Sequence, residues 1–171
     1  MNKIVILSMV LLMTACENPP VSQSTAAADR DKFVGAWHSK ISFRSGPLSE
    51  MKGLEFFCVY NTGGTMTESS NYDEAANSSP PAYGVWKAID ARTFETKYLF
   101  FTTDAPRTGE GTPNAHDWWP AGHGVITETV TLSVDGRSYT SAIRLATFDK
   151  TGAPVANGGG EGTTVATRIA F

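Results

Sequence analysis

The chain has 171 residues, 41% of them hydrophobic, and its 14 Lys and Arg against 17 Asp and Glu give a formal net charge of −3. That length supports one domain with one core, and an acidic chain without a basic run lacks the Lys/Arg footprint of a nucleic-acid binder, so no nucleic-acid partner is expected. The two cysteines, Cys16 and Cys58, leave no disulfide inside the expected domain, and no Cys/His cluster has zinc spacing, so neither metal nor cofactor is expected.

Met1-Asn2-Lys3 sets one positive charge before an apolar run, Ile4 to Met13, which is broken only by Ser8 and followed by Thr14-Ala15-Cys16. A short basic start, about ten apolar residues and small residues at the end describe a secretory signal. The run is shorter than the roughly 20 apolar residues a spanning helix takes. Met13-Thr14-Ala15-Cys16 resembles the lipobox of bacterial lipoproteins, with methionine where leucine is usual. That resemblance implies cleavage before Cys16, lipidation of its thiol, and a membrane partner reached through the lipid anchor. Glu17 in place of aspartate implies the outer membrane of the bacterial envelope. Each buried methylene of an acyl chain contributes about 0.8 kcal/mol, so several chains hold a protein on a bilayer without a spanning helix. Residues 17–30 are small and polar with two prolines, a composition that cannot bury a core and serves as a tether. The predicted organisation is a signal peptide over 1–15, the lipidated Cys16 and tether over 16–28, and a β-domain over 29–171.

A turn of helix is expected around 29–34. Eight runs of β-branched and aromatic residues follow, at 35–45, 54–61, 64–69, 83–90, 92–102, 124–134, 138–148 and 161–171, broken by Gly, Pro, Asn and Asp. Cys58 falls within the second run and reads as a small buried thiol. In the fifth run Phe94, Tyr98 and Phe100 share one face, Leu99 and Phe101 the other, and both faces are expected to meet apolar neighbours. In 124–134, Ile126, Val130, Leu132 and Val134 fall on one face and threonines on the other, the pattern of a strand with one packed face. The seventh run aligns Tyr139, Ile143 and Leu145. Asn61-Thr62-Gly63-Gly64, Asp90-Ala91-Arg92, Asp135-Gly136 and Lys150-Thr151-Gly152 supply turn chemistry between runs. Short hairpins joining eight antiparallel strands leave unpaired edges that closure removes. The predicted fold is therefore all-β, an eight-stranded antiparallel up-and-down barrel, with an open sandwich as the alternative.

Phe33-Val34-Gly35-Ala36-Trp37 opens the first run, and Thr167-Arg168-Ile169 lies in the last. This resembles the calycin superfamily of lipocalins, avidins and fatty-acid-binding proteins, in which Gly-x-Trp opens strand one after a short helical turn and a cation on the last strand covers the indole. The resemblance implies that Trp37 and Arg168 close the barrel rather than touch a ligand. Gly84-Val85-Trp86 followed by Arg92-Thr93-Phe94 looks like a pattern of small bacterial lipocalin-like proteins. The usual lipocalin disulfide and terminal helix are missing.

The stretch Thr103–Gly124 is far longer than a hairpin loop, and long loops are commonly functional. Its aromatic content marks an ordered lid, with Trp118 and Trp119 supplying apolar area and His116, Asp117 and His123 offering hydrogen bonds. His116 and Asp117 are the candidate catalytic acid/base pair, and the spacing of His116, Asp117 and His123 matches no metal-ligand pattern. Tyr72 and Asp73, in the loop Ser69–Pro81, are second-rank contacts at the same end. Gly158-Gly159-Gly160-Glu161-Gly162 lacks the Lys-Ser/Thr and the helix of a phosphate cradle, and His38 should face outward by alternation. The expected ligand is a small, mostly apolar molecule lined by Phe43, Phe57, Trp86, Tyr98, Phe100 and Tyr139 under the lid. A cofactor-independent isomerase, lyase or cyclase on the same barrel, and an envelope interaction protein with a filled barrel, are the alternatives.

Overall fold

The computed structural model describes residues 30–71, 81–104 and 119–171. Eight strands follow in chain order: β1 (Gly35–Phe43), β2 (Leu54–Tyr60), β3 (Thr65–Ser70), β4 (Ala82–Ala88), β5 (Thr93–Asp104), β6 (Trp119–Leu132), β7 (Ser138–Asp149) and β8 (Gly160–Arg168). Each pairs antiparallel with its neighbour in sequence, and β1 pairs with β8, so the sheet closes on itself. Trp37 stands opposite Arg168 and Phe43 opposite Gly162 in the closing ladder. Closure satisfies every edge without a covering element.

Alternation fixes what faces the lumen. β2 reads buried at Leu54, Phe56, Cys58 and Tyr60 and outward at Phe57 and Val59. β7 buries Tyr139, Ser141, Ile143 and Leu145 in the same rhythm. Three hairpin aspartates hold their turns with one side-chain oxygen each. Asp90 accepts the Arg92 and Thr93 amides at 2.9 and 2.8 Å, Asp135 accepts Arg137 at 3.1 Å, and Asp149 accepts Thr151 and Ala153 at 2.8 and 3.0 Å. The hydroxyls of Ser133 and Thr151, donating to Asp135 and Asp149 at 2.6 and 2.7 Å, act first at those two carboxylates and the amides next, while the Arg92 amide acts first at Asp90; all three pKa values are lowered from their ordinary 3.8.

One end of the barrel is a packed aromatic floor. The chain enters through a turn in which the Phe33 amide donates to the Arg30 carbonyl at 3.1 Å. Phe33 is fully buried, its ring 4.2 Å from Tyr60 and stacked at 4.4 Å on Phe94, with Trp86 edge-on at 5.3 Å. Trp37 packs edge-on to Tyr139 at 5.0 Å and donates its indole N–H to the Phe33 carbonyl at 3.0 Å. Outside this floor, Arg168 lays its guanidinium 4.3 Å from the Trp37 ring centre and donates to the carbonyls of Gly136, Val34 and Lys32. β3 and β5 end, and β4 and β6 begin, at the opposite rim.

Most strand ends shift by one or two residues from the sequence reading, and the largest differences lie at the start of β6 and the end of β8. β6 begins at Trp119 instead of 124, which brings Trp119 and His123 out of the expected lid and into a strand. A register shift between Thr102 and Thr103 lets this extension pair with the end of β5. β8 ends at Arg168, and Val134 lies 83% exposed in the turn after β6 instead of on its packed face.

Candidate functional site

Above the floor, the lumen carries a band of polar side chains set on strands that are otherwise apolar inward. Ser39, Glu68, Thr96, Glu128, Ser141 and Thr164 are buried polar or charged residues, joined by the hydroxyls of Tyr60, Tyr98 and Tyr139. Glu128 anchors the band, between Ile126 and Val130 on the inward face of β6. Its carboxyl accepts hydrogen bonds from the Tyr98 hydroxyl at 2.7 Å, the Thr164 hydroxyl at 3.3 Å and the Ser141 hydroxyl. Burial nevertheless outweighs these donors, and the Glu128 pKa stands above its ordinary 4.5.

The hydroxyls beside Glu128 are unequally satisfied. Tyr139 and Ser39 bond each other across the lumen at 2.9 Å. Thr96 stands directly opposite Glu128 in the β5–β6 ladder, 3% exposed, and its hydroxyl has no hydrogen-bond partner. The Tyr60 hydroxyl, on a residue 1% exposed, lies close to Cys58 and Tyr139 without reaching hydrogen-bond geometry with either. Cys58 is 1% exposed; desolvation first, then the nearby Glu128 and Glu68 carboxyls, push its thiol pKa up, which holds it neutral and inert as expected for a small core residue. Among the described residues no Lys, Arg or His is buried, and no group of His, Cys, Asp and Glu is arranged to hold a metal ion.

The structure separates the residues singled out from sequence. Tyr98 and Tyr139 face the lumen and direct their hydroxyls into the polar band. Phe43 is buried, and Phe100 is half-buried against the core, across from Gly124. Trp86 belongs to the floor, its indole N–H held by the Asn61 carbonyl at 3.0 Å. Phe57 and His123 require correction. Phe57 is 57% exposed on the outer face, where it neighbours the His38 ring at 5.0 Å, and Phe56 takes the lumen position. His123 stands on an outward position of β6, stacked at 5.0 Å on Phe148, because Gly124 and Ile126 set the inward parity. Leu99 and Phe101 likewise face outward at 43% and 67% exposure, so the second face of β5 is open. His116, Asp117, Trp118, Cys16, Tyr72 and Asp73 lie outside the described residues. His38 faces outward as expected, its Nε2 2.7 Å from a Glu55 carboxylate oxygen.

Sequence reasoning missed Glu128, Glu68 and Thr96. The signal was available: Ile126-x-Glu128-x-Val130, Met66-x-Glu68 and Phe94-x-Thr96-x-Tyr98 each set a polar residue on an apolar face. An open groove of about 650 Å³ lies over β4–β7, with the Lys87–Glu95 pair at 2.7 Å on its solvent side and the buried Thr96 and Glu128 among its lining residues. The chain matches no protein-family model and no curated protein.

Proposed function

We propose that this chain is an exported, lipid-anchored, lipocalin-like barrel that binds a small, mostly apolar molecule in its lumen. Export and anchoring rest on the signal-like segment 1–15 and on Met13-Thr14-Ala15-Cys16, which together make the outer membrane of a bacterial envelope the proposed location. Gly35-Ala36-Trp37 opening β1, with Arg168 on the closing strand over the indole, supports the lipocalin-like reading.

The observation that carries the binding reading is the pair of buried hydroxyls, Thr96 and Tyr60, that lack a protein partner inside a closed barrel. Burying a hydroxyl without a partner costs about 1–3 kcal/mol, and an eight-stranded barrel is about wide enough for one small guest. The aromatic floor blocks one end, so a guest enters from the rim, lies against Phe43, Phe56 and Phe100, and brings a polar group down to the band.

A neutral fluorescent naphthylamine, N-phenyl-1-naphthylamine, tests the reading on the full chain in mild detergent. Saturable binding with energy transfer from tryptophan, weakened at least fivefold by Phe56→Trp crowding of the lumen, is the expected result. Binding unaffected by that substitution contradicts it.

Glu128 favours a second reading, a cofactor-independent acid/base enzyme. A carboxyl whose pKa is raised by burial, hydrogen-bonded to a tyrosine hydroxyl, suits proton transfer to or from a bound carbon acid. On this reading Glu128→Gln retains ligand binding and abolishes any isomerase or lyase turnover.

A further inference from the structure

From the inward face of the lumen we infer that the ligand carries a cationic amine head, received by Glu128, Thr96 and Tyr60 beneath an apolar body. The inference rests on the binding reading above and specifies the class of molecule that site takes. A carboxylate offers about four lone-pair sites, and the hydroxyls of Tyr98, Ser141 and Thr164 occupy three at Glu128. Acceptor capacity is left there, and the Thr96 hydroxyl, which has no protein partner, belongs to the residue opposite Glu128 in the ladder. The Tyr60 hydroxyl, also without a partner, lies within electrostatic reach of Glu128 and Tyr98. One carboxylate and two hydroxyls thus offer three acceptors to the three N–H donors of a primary ammonium.

Charge points the same way. The three hydroxyls turned toward Glu128 favour its charged form, burial opposes it, and no cationic side chain is buried among the described residues to offset that burial. An ionised carboxylate held in an apolar interior without a counter-charge is costly. A ligand ammonium supplies that charge, while a carboxylate ligand would place like charges together.

The test uses the full chain in mild detergent at about pH 7.5 and three probes of matched shape: 2-phenylethylamine, 2-phenylethanol and 3-phenylpropanoate. Calorimetry is expected to give an amine affinity about tenfold or more above that of the alcohol, with the acid weakest, since a hydrogen bond to a charged group is the stronger kind. Glu128→Gln should bring the amine and the alcohol to parity. Thr96→Val keeps the side-chain shape, removes the hydroxyl with no partner, and should weaken the amine about threefold while leaving the thermal midpoint equal or higher. This second variant keeps the inference testable should Glu128→Gln fail to fold. Alcohol binding as tight as amine binding, with Phe56→Trp weakening both, overturns the amine inference and leaves lumen binding standing. An amine preference that survives Glu128→Gln, or that Thr96→Val leaves unchanged, also overturns it. Binding by none of the probes, together with no naphthylamine binding, removes the lumen reading and this inference with it.

Discussion

At Gly35 the backbone adopts φ of +137°, and the space a Cβ would fill is taken by the Arg168 guanidinium, with Nη1 2.5 Å away. The glycine of Gly-x-Trp is therefore needed twice, for its conformation and for the cation that reaches past it to the Val34 carbonyl. Gly35→Ala is expected to cost roughly 1–3 kcal/mol, measured as a lowered urea midpoint, and to release Arg168 from Trp37. A midpoint equal to wild type would contradict this account of the motif. Arg168→Ala retains Gly35 but loses three carbonyl contacts and the indole face, and about 1–2 kcal/mol of stability should go with them. The motif was legible in the sequence because its two halves are unusual residues at the ends of the sheet. The polar band was harder to see, because a single Glu128 among Ile126, Val130 and Leu132 is outvoted when a face is read by its majority.

At the scale of the strand, parity decided which aromatics reached the lumen. Phe56 and Phe57 are adjacent, so period two must send one inward and one outward, and two identical side chains cannot say which. The register supplied the answer: Cys58 pairs with Trp37, so Phe56 and Tyr60 share the inward side with both. The start of β6 was hidden for a related reason. Trp119-Pro120-Ala121-Gly122 lacks alternation and contains a proline, yet the β5 extension beyond the register shift gives it a partner. Just beyond, Phe100 lies across Gly124 so closely that a Cβ on β6 would overlap the ring. Gly124→Ala should displace Phe100 and destabilise the barrel by about 1–3 kcal/mol, whereas Gly124→Ala combined with Phe100→Leu recovers most of that loss. Denaturant titration of the two variants checks the coupling, and equal losses from both would argue against the packing described.

Over the whole molecule, buried and exposed carboxyls pull stability in opposite directions as pH changes. The native Glu128 pKa is raised above 4.5, so the folded state holds this proton longer than the unfolded chain. Stability is therefore lost as pH rises from 4.5 through the native value. Asp90, Asp135 and Asp149 have native pKa values below 3.8, so their contribution is present above that value and lost as pH falls through the depressed ones. A stability maximum at about pH 4–5 follows from the two slopes. Urea midpoints across the range about pH 3–8 should show a decline on the alkaline side that Glu128→Gln flattens, while the acid-side decline remains. A variant with the wild-type alkaline slope would assign that slope elsewhere.

The closed eight-stranded architecture was legible in the sequence because turns and alternation repeat along the chain, and three hairpins carry their own aspartate cap. The lumen's chemistry was not, because it emerges only when strands distant in sequence bring Tyr60, Thr96, Glu128 and Thr164 together. Native mass spectrometry of the full chain, purified from its native cells in mild detergent, tests the central claim most directly. One stoichiometric small-molecule adduct that survives desalting and is lost on Phe56→Trp substitution is the predicted result. Bare protein mass in repeated preparations, unchanged after incubation with apolar amines and alcohols, would contradict a lumen built to hold a guest.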